Sequence, residues 1–355
     1  MVAKMVQTTV VGRQSHGRTG LIRRLAGDYV PPDSIVRMSE VLGGGTALTE
    51  KLARLQIRET IKDQDAVGLD ILSEGETTRI DYWSHFVTSL SGVKIARSNL
   101  SPSGVDLIVT DHLNNVHDYI VSEWQEAQSL TSKPVKITLP GPLTCARYVR
   151  DEYYHSLRLL SLRMAECINY QAHRLAEAGC RFIQFDDCQL AYDPTIAFDY
   201  GLEHLEICTR GLPDSVRTIL HICRGTPGFV DRYENTGKAP DKNCYELLLS
   251  ESDQFPVDII SVEQAFHPSP ISVFKNIQKK TLMVGVIDVA SLHVESAEEI
   301  RQRALPFLEL MGSDRLLLAP DCGFSAWTSP RLHQMAMLKL RRLVEATRLI
   351  KRTTF

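Results

Sequence analysis

The chain has 355 residues, 43% hydrophobic and 23% charged, which is the composition of a folded globular protein and excludes a mostly disordered one. Its 40 basic and 43 acidic side chains leave a formal charge of −3 without any block of one sign, which argues against an electrostatic grip on nucleic acid or an anionic membrane. No apolar run approaches the ~18–20 residues of a membrane span, and the opening residues carry no signal-peptide core, so the expected setting is the cytoplasm.

In chain order, short apolar and β-branched runs alternate with longer helical patterns, as in βα units around a parallel sheet. The predicted strands are Val6–Val11, Val67–Leu72, Pro134–Leu139, Arg181–Asp186, Val216–Cys223, Val257–Glu263, Thr281–Ile287 and Arg315–Ala319. Amphipathic helices are predicted over Thr46–Asp65, His112–Leu130, Tyr154–Glu177 and Ser329–Lys351. Eight strands with long connections and a closing helix make the fold class α/β, a (β/α)8 TIM barrel, in a single domain over residues 1–355. Two connections exceed a plain unit. Residues 73–133 should hold a second helix, and the Gly/Pro-rich start of 224–255 is a candidate lid. Gly43-Gly44-Gly45 lacks the ending of a phosphate loop and reads as a turn.

Active sites of such barrels form at the carboxyl ends of the strands. Those ends carry Gly12-Arg13, Glu74-Gly75-Glu76, Asp186-Asp187, His221-Ile222-Cys223, Glu263-Gln264, Asp288 and Asp321-Cys322. His221 and Cys223 are two apart on a strand and so share a face. With Glu263 and Cys322 at later strand ends, they form a candidate zinc set, since thiolates favour zinc over magnesium or calcium. The other cysteines are scattered without a paired C-x-x-C, and most should act as small buried hydrophobes. His267, His293 and Asp187, near strand ends, are candidate proton carriers. Tyr82 and Trp83 either line a pocket or pack.

The segments LHICRG (220–225), DIISVEQ (258–264) and LAPDCGF (318–324) resemble the metal-binding segments of cobalamin-independent methionine synthases, in their catalytic barrel. ILSEGETTRIDYW (71–83), ITLPGP (137–142) and RFIQFDD (181–187) resemble other signatures of that superfamily, in the family's order. The resemblance implies a barrel of the type shared with uroporphyrinogen decarboxylase and a zinc enzyme that alkylates a thiol. By similarity His221, Cys223, Glu263 and Cys322 are the zinc ligands. Glu76 and Asp186 match the acids that receive the amino group of homocysteine, and Gly12-Arg13 stands at the amino-acid carboxylate. The implied partners are a small thiol and a methyl or alkyl donor. The oligomeric state, homo-oligomer included, stays open.

The sequence departs from the family at two places. Gly12 is followed by Arg13, where the family has serine, and Asp186 by Asp187-Cys188, where the family has Glu-Pro. An arginine there suits a carboxylate or sulfonate. LHICRG and CGFSA also resemble epoxyalkane:coenzyme M transferases, which implies Arg13 and Arg224 as anion clamps. Zinc-dependent methyl transfer to a thiol is the leading expectation, thiol addition to an epoxide the second, and a non-catalytic barrel the third.

Overall fold

The computed structural model describes residues 6–14, 46–79, 82–97, 105–116, 118, 120–225, 243–325, 327 and 329–353. Gly43-Gly44-Gly45 and most of the candidate lid (226–242) lie outside them. Eight parallel strands form one curled sheet: β1 (Gln7–Thr8), β2 (Leu72–Ser73), β5 (Val135–Pro140), β7 (Phe182–Asp186), β8 (Arg217–Ile222), β9 (Ile259–Val262), β10 (Thr281–Ile287) and β11 (Leu316–Pro320). The order around the sheet is β1-β11-β10-β9-β8-β7-β5-β2. The amides of Asp70 and Ile71 donate to Thr8 O at 3.1 Å and join β2 to β1. This is the expected (β/α)8 barrel, and β10 runs over the predicted residues.

Alternation along the strands splits the core in two. Val11, Ile71, Ile219, Ile259, Met283, Leu317 and Ala319 cluster inside the barrel. A larger cluster lies between sheet and helices, including Ile137, Ile183, Leu220, Ile260 and Leu318 with Ile57, Leu175, Phe307 and Leu340. Burying two such layers on opposite faces is why the strands read as continuous apolar runs. The helix Ala297–Met311 begins with a capping box, Ser296 Oγ accepting from Glu299 N while the Glu299 carboxylate accepts from Ser296 N. The helices Thr46–Val67, Leu157–Glu177 and Pro330–Thr353 fall within a few residues of the predicted ranges.

Between β2 and β5 the expectation needs correction. The predicted helix over His112–Leu130 is confined to Val121–Ser129, and residues up to Asn115 are strand. β3 (Leu90–Arg97) pairs antiparallel with β4 (Val105–Asn115), and the short β6 (Arg150–Asp151) joins β4 in parallel. Long-range pairing overrides the weak local signal here, because a half-exposed sheet carries many polar residues and a poor hydrophobic period. Among the described residues no helix is long and apolar enough to cross a membrane.

Candidate functional site

Because side chains two apart share a face, β8 continues its inner apolar residue Ile219 upward into His221 and Cys223. On β9 the same face carries Ile259, Ser261 and Glu263. Cys322 follows β11. A ring nitrogen of His221 and the Sγ atoms of Cys223 and Cys322 lie within 4.8 Å of one another. His221 Nδ1 shares a 2.9 Å hydrogen bond with Ser261 Oγ, and Nε2 is buried without a hydrogen-bond partner. With Nδ1 engaged by the serine, Nε2 is the ring nitrogen left for a metal, and donation of Nδ1–H to Ser261 would give it the lone pair that ligation needs. One imidazole and two thiols, converging in a buried cleft, fit a zinc ion.

Glu263 stands outside that 4.8 Å set. Its carboxylate is fully buried. Oε1 accepts from Arg224 Nε at 2.8 Å and lies 3.4 Å from His267 Nδ1, while Oε2 has no hydrogen bond. Asp321 holds the loop that follows β9, accepting from the amides of Gln264, Ala265 and Phe266 at 2.6–2.9 Å. Burial pushes its carboxyl up to about 7 in spite of those amides.

The triad forms one wall of a cavity of about 290 Å³, whose other lining residues include Gly12, Arg13, Glu76, Tyr82, Asp186 and Cys188. Glu76 Oε1 accepts from Thr138 Oγ1 at 2.8 Å. Thr138 in turn accepts from Arg79, a buried guanidinium paired with Glu74. Gly12 leaves room for Glu76: a Cβ there would stand 2.3 Å from Oε1 at the end of that side chain, so the carboxylate would have to move. Asp186 Oδ1 accepts from Gln184 Nε2 at 2.6 Å, and burial pushes the Asp186 carboxyl up to about 7 against the pull of His221. A second carboxylate beside it, Glu76, adds to that rise. Two acids in the cavity that the His-Cys-Cys cluster also lines can receive a cationic tail while a metal held by the cluster would take a sulfur.

Of the residues picked from sequence, the structure therefore brings His221, Cys223, Cys322, Gly12, Arg13, Glu76 and Asp186 to the cavity. Four others are placed elsewhere. Arg224 is buried behind Glu263, donates also to His267 O and Ser269 Oγ, and stacks 4.3 Å over the Tyr245 ring, so it does not line the cavity as a clamp. Asp187 accepts from Leu143 N, Thr144 N and Thr144 Oγ1 at the start of the helix Pro142–Tyr148, and burial pushes its carboxyl up to about 6. That carboxylate is taken up by the helix start and is not among the residues that line the cavity. His267 is partly exposed beside Glu263, and His293 pairs with Glu299 on the surface. Tyr82 lines the cavity, 3.5 Å from Cys188 Sγ, while Trp83 packs on Tyr148.

Sequence reasoning missed Cys188 and Lys136. Lys136 is fully buried inside the barrel, and burial drives its ammonium down to about 8 against the neighbouring carboxylates Asp186, Glu74 and Glu76. The available signal was a lysine two positions before Thr138 in an otherwise apolar strand.

Comparison with known proteins gives a concordant picture. A family model described as the catalytic domain of cobalamin-independent synthase matches residues 36–349. The chain is 25% identical over 301 residues to a methionine synthase of Sulfurisphaera tokodaii, covering 82% of this chain and 80% of that one. It is 26% identical over 300 residues to a methionine synthase of Saccharolobus solfataricus, covering 82% of each. Its fold is similar to that of a B12-independent methionine synthase from Shewanella sp. W3-18-1 in complex with selenomethionine, with a TM-score of 0.77 at 24% identity over 99% of both chains. A putative vitamin-B12-independent methionine synthase from Listeria monocytogenes gives 0.73 at 19% identity, again over 99% of both.

Proposed function

The chain belongs to the family of cobalamin-independent synthase catalytic domains, and on that premise we propose that it is a single-barrel, zinc-dependent S-methyltransferase acting on a homocysteine-like thiol. The observation that carries the reading is the convergence of His221, Cys223 and Cys322 on one wall of a cavity that also presents Glu76 and Asp186.

His221, Cys223 and Cys322 would hold the metal, with Glu263 as the fourth, displaceable ligand through its unpaired Oε2. Zinc, when bound, supplies the Lewis acidity that turns a thiol of pKa ~8.5 into a nucleophilic thiolate at neutral pH. The protein's residues do the rest. Two cysteinates offset the metal charge and keep electron density on the acceptor sulfur. Ser261 fixes the His221 ring, and Arg224 fixes Glu263. Glu76 and Asp186 receive the acceptor's ammonium, and Arg13, at the same cavity, receives its carboxylate. His267 is the nearest proton carrier to Glu263 and the candidate acid for a leaving group.

Arg13 also supports a second reading, thiol addition to an epoxide or other alkyl electrophile, because an arginine grips a sulfonate as well as a carboxylate. Cobalt-substituted protein titrated with homocysteine and with coenzyme M separates the two. A charge-transfer band that shifts with homocysteine at lower concentration supports methyl transfer to an amino-acid thiol. A preference for coenzyme M replaces that reading with the second, and a spectrum blind to both thiols removes the thiol-activation mechanism. Arg13→Ser should weaken whichever anionic thiol binds, and unchanged affinity takes that role from Arg13.

A further inference from the structure

The inner cluster of the barrel is aliphatic: Val11, Ile71, Ile219, Ile259, Met283, Leu317 and Ala319. Lys136, fully buried on β5, breaks that rule. A buried ammonium is unfavourable unless its protons are used, and the structure accounts for two of them. Nζ donates to Val11 O and to Gln184 Oε1. No carboxylate among the described residues forms a direct ion pair with it, so a simple buried salt bridge does not explain it.

Both partners lead to the cavity. Gln184 Nε2 donates to Asp186 Oδ1 at 2.6 Å and also to Val11 O at 2.8 Å. The Gln184 amide is therefore fixed in one orientation: its oxygen is taken by the ammonium, and its nitrogen must face Asp186. Val11 O belongs to the peptide that leads into Gly12, and Gly12 is packed so closely on Glu76 that a Cβ would meet Oε1 at 2.3 Å. Lys136 thus holds Asp186 through Gln184 and sets the Val11–Gly12 peptide that packs against Glu76. Its hydrogen bonds go to Val11 and Gln184 and none to His221, Cys223 or Cys322, although its charge is felt at His221.

We propose that Lys136 is a positioning residue for the amino end of the acceptor, holding Asp186 and the Gly12 peptide in register through Gln184 and Val11, with no hydrogen bond to the metal triad. The inference rests on the proposal that Glu76 and Asp186 receive an ammonium, and it specifies what keeps them aligned.

The test compares L-homocysteine with 4-mercaptobutanoate, which has the same thiol and carboxylate but no amine, by calorimetric titration of the zinc-loaded full chain. Wild type should bind homocysteine about 10–100-fold tighter, the ratio expected for charge-assisted hydrogen bonds to the amine. In Lys136→Met that ratio should fall to about 1–2, through weaker homocysteine binding alone, with zinc content and 4-mercaptobutanoate affinity unchanged. Gln184→Leu keeps the lysine but cuts its link to Asp186, and should lose the discrimination too, so the proposal stays testable if Lys136→Met does not fold. Equal weakening of both thiols, or a wild-type ratio in folded variants, overturns the role of Lys136. A wild type that does not discriminate overturns the ammonium reading itself, and that outcome is visible before any variant is made.

Discussion

Arg224 donates from Nε to Glu263 Oε1 at 2.8 Å, and the second oxygen of that buried carboxylate is left without a hydrogen bond. The guanidinium is itself locked by His267 O, Ser269 Oγ and the face of Tyr245. A carboxylate held on one oxygen and open on the other suits the displaceable fourth ligand proposed above. Arg224→Met should therefore reduce zinc affinity about 10–100-fold, the usual effect of removing a group that orients a metal ligand. Competition with a chromophoric chelator measures it, and unchanged affinity would separate Arg224 from the metal site.

Cys223→Ser and Cys322→Ala should each bring bound zinc well below one equivalent while leaving the far-UV spectrum intact. The triad is not part of the aliphatic inner cluster, and Cys322 touches the larger core only as a partly buried margin residue, so losing one thiol should leave the barrel folded. Metal analysis alongside circular dichroism decides. Full activity in a zinc-free variant would end the mechanism.

Gly12→Ala should fold and keep its zinc but bind an amino-acid thiol about tenfold or more weakly, because the added methyl would overlap Glu76 Oε1 and drive that carboxylate from its place. Calorimetry with homocysteine is the check. Undiminished binding would mean that Glu76 plays no part in holding the acceptor.

Burial pushes Glu123 up to about 7 from its ordinary 4.5, only partly offset by Arg79. A carboxyl whose folded value lies above its unfolded one favours the protonated folded state, so its effect on stability is most favourable below about pH 4.5. That effect is lost progressively as pH rises toward 7. Glu123→Gln removes this share. Its melting temperature should fall less steeply than that of wild type between pH 4.5 and 7, as followed by thermal denaturation across that range. Parallel curves would contradict the assignment.

Much of the site could be read directly from the chain. The period of two along a strand puts His221 and Cys223 on one face whatever surrounds them, and the apolar runs fix which segments become barrel strands. The closed sheet then makes Cys322, far away in sequence, a neighbour of both. Other features were hidden. The hairpin β3–β4 escaped because its residues are half exposed and its pairing is remote.

By itself, the sequence determined the eight-stranded α/β barrel through local periodicity, put His221, Cys223, Glu263 and Cys322 at strand ends, and carried the segments whose wording resembles the family. Only the tertiary structure decided which way the remaining polar side chains turn. Asp186 and Asp187 are adjacent, yet one enters the cavity and the other satisfies the start of a helix. Cys223 and Arg224 are adjacent too, and the arginine goes behind Glu263 instead of into the cavity. Lys136 reads as one polar residue in a strand until the barrel closes and gives its ammonium Val11 O and Gln184 Oε1 as partners. A buried polar group goes where its hydrogen bonds can be met, and those partners come from segments distant in the chain.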